Sequence, residues 1–97
     1  MTKKQKNINK VFIEVVDAKY IEKHKIMVFF NDNTYQTIDI GKFLKKYPSP
    51  IYNKYRSIEL FKQFYIDNGN IFWGENADLC FHCLGLYNND LTSEYDY

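Results

Sequence analysis

An α+β domain, with an antiparallel β-sheet of about five strands in two hairpins and two or three short helices, is predicted by three features of the chain. Apolar runs that alternate or are rich in β-branched residues recur between residues 10 and 40. Two turn signals, Asn31-Asp32-Asn33-Thr34 and Asn68-Gly69, each separate a pair of such runs. Short stretches with helical apolar spacing follow the third run and the second turn.

The elements follow in order. Lys10 to Ala18, "KVFIEVVDA", is β-branched and continuous enough for a first strand. His24 to Phe30, "HKIMVFF", is a second, and Thr34 to Ile40, "TYQTIDI", alternates into a third. Asp and Asn in the connection between the last two tolerate the left-handed backbone of a tight turn, so this pair runs antiparallel. After Gly41, "KFLKKY" suits one or two helical turns. Pro48 and Pro50 then call for an extended stretch, because each fixes its own φ and restricts the residue before it. Ser57 is the expected N-cap of a short helix through "IELFKQF", whose spacing turns Leu60, Phe61 and Phe64 to the core. "FYID" and "NIFW" flank Asn68-Gly69, the preferred centre of a type I′ hairpin. Asp78 is read as the cap of a last helix, "LCFHCLGL", where its charge also suits the helix dipole.

Composition sets the bounds. Ninety-seven residues allow one core, for which 45% hydrophobic and 19% aromatic residues give ample material. The predicted organisation is a flexible basic N-terminus over residues 1–9, a single α+β domain over 10–87 and an acidic, disordered C-terminal tail over 88–97. No apolar run approaches the ~18 residues of a membrane span, and "MTKKQKNINK" leads into no signal-type apolar core. A cytoplasmic protein with reduced cysteines is therefore expected. Net charge is only +1, unevenly spread: the first ten residues carry lysines and no acid, the last ten carry Asp90, Glu94 and Asp96 and no base. Within the balanced middle, "GKFLKKYPSPIYNKYRSI" has five cations and no carboxylate.

The order of "IMVFFNDNTYQTIDI", "SIELFKQFYIDNGNIFW" and "WGENADLC" resembles the Domain of Unknown Function 2442 family. The shared features are a strand ending in Phe before a tight turn, a hydrophobic-Asp-hydrophobic triplet at Ile38-Asp39-Ile40, a helix end at Phe61 to Phe64, a glycine hairpin at Gly69, and a Trp corner running from Trp73 to Ala77-Asp78-Leu79. Where the family has Pro-Asn-Gly inside that corner, this chain has Gly74-Glu75-Asn76, and Asn76 can take the left-handed position usually given to Gly. Lys45 to Tyr55 has no family counterpart. The resemblance implies a small protein of no established activity, encoded beside another small protein in toxin–antitoxin-like pairs.

The Trp corner reads as structural. Trp73 packs its ring on the sheet or the next helix, Ala77 lets the chain turn closely, and Asp78 caps. Use of Asp78 as a general acid or base with Asp39 or Asp67 would need a pocket and partner that spacing does not provide. Cys80-Phe81-His82-Cys83 lacks the further ligands of a zinc site and the βαβ context of a redox pair, so two buried helix cysteines with His82 on the wet face are expected. The glycines form no phosphate loop, and no Ser sits in a nucleophile elbow. No metal, cofactor or enzymatic activity is expected.

Surface chemistry remains. Lys42, Lys45, Lys46, Tyr47, Tyr52, Lys54, Tyr55 and Arg56 form the candidate partner-binding segment. Its tyrosines could stack on bases while its cations meet phosphates, or the same residues could anchor a protein interface. The expected function is a non-enzymatic protein-binding module, antitoxin-like or inhibitory, that occludes a toxin-like or effector protein. The alternatives are a mobile-element-encoded inhibitor of a host nuclease or defence effector, and a nucleic-acid-binding module. The tail, alternating Leu91, Tyr95 and Tyr97 with acids, is a secondary docking candidate.

Overall fold

The computed structural model of the protein describes residues 12–91. The basic segment 1–9 and residues 92–97 of the acidic tail lie outside them. The described chain is α+β, with two three-stranded antiparallel sheets where about five strands were expected, and several short helices.

The first sheet is a meander of β1 (Val15–Glu22), β2 (Lys25–Phe30) and β3 (Tyr35–Asp39). Ile26, Val28 and Phe30 alternate inward on β2, opposite Tyr20, Ala18 and Val15 of β1. Register shifts leave Val16 and Ile21 as the extra residues of two bulges, which is why these large side chains stand exposed. The first strand begins later than the sequence suggests and runs further. Phe12–Glu14 are held by the Asn31 side chain, whose Nδ2 donates to the Phe12 carbonyl at 2.8 Å and whose Oδ1 accepts from the Glu14 amide at 3.1 Å. The β2–β3 turn places Asn33 at φ 71°, as its composition requires.

Between the sheets lies a helical connection: α1 (Ile40–Lys46), α2 (Pro50–Asn53), a 3-10 turn (Lys54–Arg56) and α3 (Ile58–Phe61). Asp39 caps α1, its Oδ1 accepting from the Gly41 amide at 3.0 Å. The stretch expected to be extended at Pro50 is helical. Ser49 accepts from the Ile51 amide at 3.2 Å and Pro50 takes the first helical position, where its missing N–H is no loss. Ser57 caps α3 as read from sequence, and Phe61 is fully buried. Leu60, expected inward, is 38% exposed, because α3 ends after one turn and presents only Phe61 and part of Ile58 to the core.

The second sheet contains β4 (Tyr65–Asp67), β5 (Asn70–Trp73) and β6 (Leu79–Phe81), with β5 central. Its Asn68-Gly69 hairpin has both residues at positive φ, 50° and 76°. Beyond Trp73 the sequence reading needs correction. Leu79, Cys80 and Phe81 pair with Trp73, Phe72 and Ile71 as a strand, and the final helix α4 (Cys83–Tyr87) begins only after His82. An apolar run of this length fits strand or helix equally by periodicity, and pairing with β5 decides it. His82, half-buried, caps α4 in place of Asp78, its Nδ1 accepting from the Leu84 amide at 3.2 Å. Cys80 consequently points outward from β6, whereas Cys83 is buried at the helix start. The left-handed residues of the corner are Gly74 and Ala77 rather than Asn76.

The sheets meet through one core. The Val15 amide donates to the Gly69 carbonyl at 2.8 Å, joining β1 to the second hairpin. Trp73 is 0% exposed and stacks on Phe61 at 5.5 Å, with Phe81 and Phe64 edge-on at 5.8 and 5.9 Å. Its indole N–H donates to the Phe61 carbonyl at 2.7 Å, tying β5 to the end of α3. Tyr87 of α4 reaches back to the β2–β3 turn, its hydroxyl donating to Asp32 at 2.7 Å. Leu91, inside the expected tail, packs against this core.

Candidate functional site

The eight candidate residues fall into two groups. Tyr55 is 4% exposed and belongs to the core, edge-on to Trp73 at 6.5 Å, so its ring offers no face for stacking. Arg56 is exposed overall, yet its guanidinium donates to the Leu44 carbonyl at 3.0 Å and to Asn53 Oδ1 at 3.2 Å. It closes the last turn of α1, a role that suits a cation at a helix end. Lys54 pairs with Asp78 at 2.8 Å and lies over the Tyr55 ring at 5.3 Å. These three residues fasten the 3-10 turn to α1 and to the corner of the second sheet. His24 of the β1–β2 turn completes the joint, its Nε2–H shared between the Tyr55 and Arg56 carbonyls at 3.1 and 3.0 Å.

Asp78, placed by sequence at a helix start, therefore serves this joint. The Lys54 ammonium holds its carboxyl below the usual carboxylate range, and Asp78 in turn raises Lys54 above the usual lysine range. The Tyr55 phenol, 3.4 Å from Asp78, is pushed up chiefly by burial. Gly74 is required here: at φ +86°, an added Cβ would lie 2.6 Å from the Tyr55 hydroxyl and 2.7 Å from Asp78 Oδ2. Of the other carboxylates considered for acid–base work, Asp39 is spent on the α1 cap, and Asp67 lies exposed on β4, opposite Asn70 in register and outside this joint. Burial pushes the Cys83 thiol up, away from nucleophilic behaviour. Among the described residues no cluster of His, Cys, Asp and Glu is placed to hold a metal ion, and no helix is long and apolar enough to cross a membrane.

Lys42, Lys45, Lys46, Tyr47 and Tyr52 form the second group. Ile40 and Leu44 of α1 are buried, which turns Lys42, Lys45 and Lys46, spaced i, i+3 and i+4, together onto the opposite face. None of the three makes an ion pair among the described residues. Phe43 gathers the rings beside them, with Tyr47 at 4.9 Å and Tyr52 at 5.5 Å, and Lys46 Nζ lies 5.7 Å from the Tyr47 ring centre. Tyr47 is 38% exposed, and Ile51 on α2 is 54% exposed. The sequence does not point to Ile51, because Pro48 and Pro50 call for an extended stretch there. The Ser49-Pro50 pair, a helix start by its own chemistry, was the signal that would have found it. The result is a basic helix face bordered by two exposed apolar side chains.

A separate cleft of about 480 Å³ opens on the far side of the joint, between Leu60, Gln63, Tyr65 and the Gly74-Glu75 turn, with Lys54 at its edge. Its one cation is already neutralised by Asp78, so its walls offer mainly the Leu60 and Tyr65 side chains. No family model, no curated protein and no solved structure matches this chain.

Proposed function

We propose that this protein is a non-enzymatic binding module of the cytoplasm, antitoxin-like or inhibitory, that occludes an acidic surface of a partner protein with the α1–α2 face. The observation that carries this reading is the juxtaposition of three lysines that make no ion pair among the described residues and the exposed Tyr47 and Ile51. Tyrosine is enriched at the energetic centres of protein interfaces, and a row of lysines beside it supplies charge complementary to an acidic partner surface. The resemblance to a family found in toxin–antitoxin-like pairs points the same way. Nucleic acid is the weaker ligand for this face: of the eight residues proposed for it, Tyr55, Lys54 and Arg56 are occupied within the fold, leaving three cations and one well-exposed ring.

The test is site-directed photo-crosslinking from position 47 or 51 in cells, with the captured protein then purified and its affinity measured. A single partner whose binding is lost in Tyr47→Ala and Lys45→Glu/Lys46→Glu supports the reading. A complex with single-stranded nucleic acid whose log-affinity falls with log salt at a slope of about −2, roughly 0.7 per lysine, replaces it.

A further inference from the structure

We propose that the groove at the start of α1 leads an acidic, tyrosine-bearing segment onto the lysine face, and that residues 92–97 of this same chain, Thr-Ser-Glu-Tyr-Asp-Tyr, are its occupant. The inference deepens the proposed function by specifying what a partner must displace. The groove, of about 330 Å³, is lined by Thr37, Asp39, Lys42 and Phe43 on one side and by Asn89, Asp90 and Leu91 on the other. The chain is fixed at this point by three contacts. The Asp90 amide donates to the Gly85 carbonyl at 2.9 Å, the Asn89 side chain donates to the Thr37 carbonyl at 3.3 Å, and Leu91 packs on the core. The six residues that follow therefore start beside Lys42.

Reach and charge both fit. Six residues extend to about 20 Å, whereas Lys42 to Lys46 spans about 6 Å along the helix. Asp39 and Asp90 line the groove mouth, and the residues that pass them, Thr92 and Ser93, carry no charge. Glu94 and Asp96 come next, at a distance suited to Lys45 and Lys46 further along the helix. In an extended segment they share one side and Tyr95 and Tyr97 the other, which matches a row of lysines beside the Phe43–Tyr47–Tyr52 rings. Each exposed ion pair is weak. Tethering compensates, since a segment attached this closely works at a local concentration of about a millimolar, enough to populate a weak contact.

The experiment compares amide NMR spectra of the full chain with those of a chain ending at Leu91, without any partner. Truncation is expected to shift the Lys42, Lys45, Lys46 and Tyr47 amides. The difference should persist on dilution and collapse at about 1 M salt, where screening shortens to about 3 Å. In the full chain, Lys45→Glu/Lys46→Glu should move the Glu94 to Tyr97 resonances toward their positions in a free peptide of the same sequence. Spectra that superimpose outside the cut site overturn the proposal. So do shifts that vanish on dilution, which would place the segment on a second copy. Because no partner enters, a positive result beside a failed crosslinking search would count against the proposed function alone.

Discussion

Trp73 is the largest fully buried side chain, and its surroundings explain the cost of altering it. Trp73→Ala would open a cavity among Phe61, Phe64 and Phe81 and is expected to cost ~3–5 kcal/mol, a large part of the ~5–15 kcal/mol available to a domain. Trp73→Phe should cost less in packing but would strip the Phe61 carbonyl of its donor, adding ~1–3 kcal/mol. Urea denaturation of both variants checks the order. Asp32 and Asp78 are the groups expected to contribute to the acid limb of stability. Hydrogen bonds from Thr34 and Tyr87 lower the first below its ordinary 3.8, and Lys54 lowers the second. A carboxyl held lower in the folded state contributes its full stabilisation above 3.8 and loses it as pH falls through the depressed folded value. Replacing both by Asn is therefore expected to flatten the fall in melting temperature below pH 4; an unchanged slope would show that other groups carry it.

At the scale of elements, caps and turns were the most legible features. Ser57 and Asn68-Gly69 behave as their residue types require, since each acts within a few residues of itself; the Asp39 cap was not read from the sequence, and the cap expected at Asp78 is made by His82 instead. Asp39→Ala is expected to cost ~0.5–2 kcal/mol by uncapping α1, and Asp39→Asn far less. Gly69→Ala combines a positive φ with a Cβ only 2.8 Å from the Glu14 side chain, so it is expected to lose at least ~1 kcal/mol and to loosen the β1–β4 junction. Thermal unfolding of the three variants tests both statements. The illegible elements were those whose local signal fits two structures. Pro50 can break a helix or begin one, and Leu79–Phe81 can pair or coil. Ser49 on one side and β5 on the other settle the outcome. Edge protection was likewise hidden: β1 ends the first sheet with two bulges and with Asp17 Oδ1 bonded to the Ala18 amide at 2.8 Å, which leaves a poor template for pairing.

For the whole molecule, the proposed binding role and the folding role fall on different side chains of one basic segment. Lys45→Glu/Lys46→Glu changes two exposed residues that make no ion pair among the described residues and is expected to lower stability by no more than about 1–2 kcal/mol, the cost of two reversed charges in the last turn of α1, while abolishing partner binding. Arg56→Ala removes donors to Leu44 and Asn53 and should lower stability as well. Parallel melting and binding measurements separate the two. The sequence by itself determined the α+β class, both turn-driven hairpins, the burial of Trp73 and the location of the basic segment, because periodicity, turn chemistry and charge are properties of neighbouring residues. Only the tertiary structure decided which of those basic and aromatic side chains are free to meet a partner. Tyr55 is buried against Trp73, Lys54 is held by Asp78 and Arg56 by the Leu44 carbonyl. A polar head is satisfied by whatever group folding brings within hydrogen-bond reach, and here each of those groups lies twelve or more residues away along the chain.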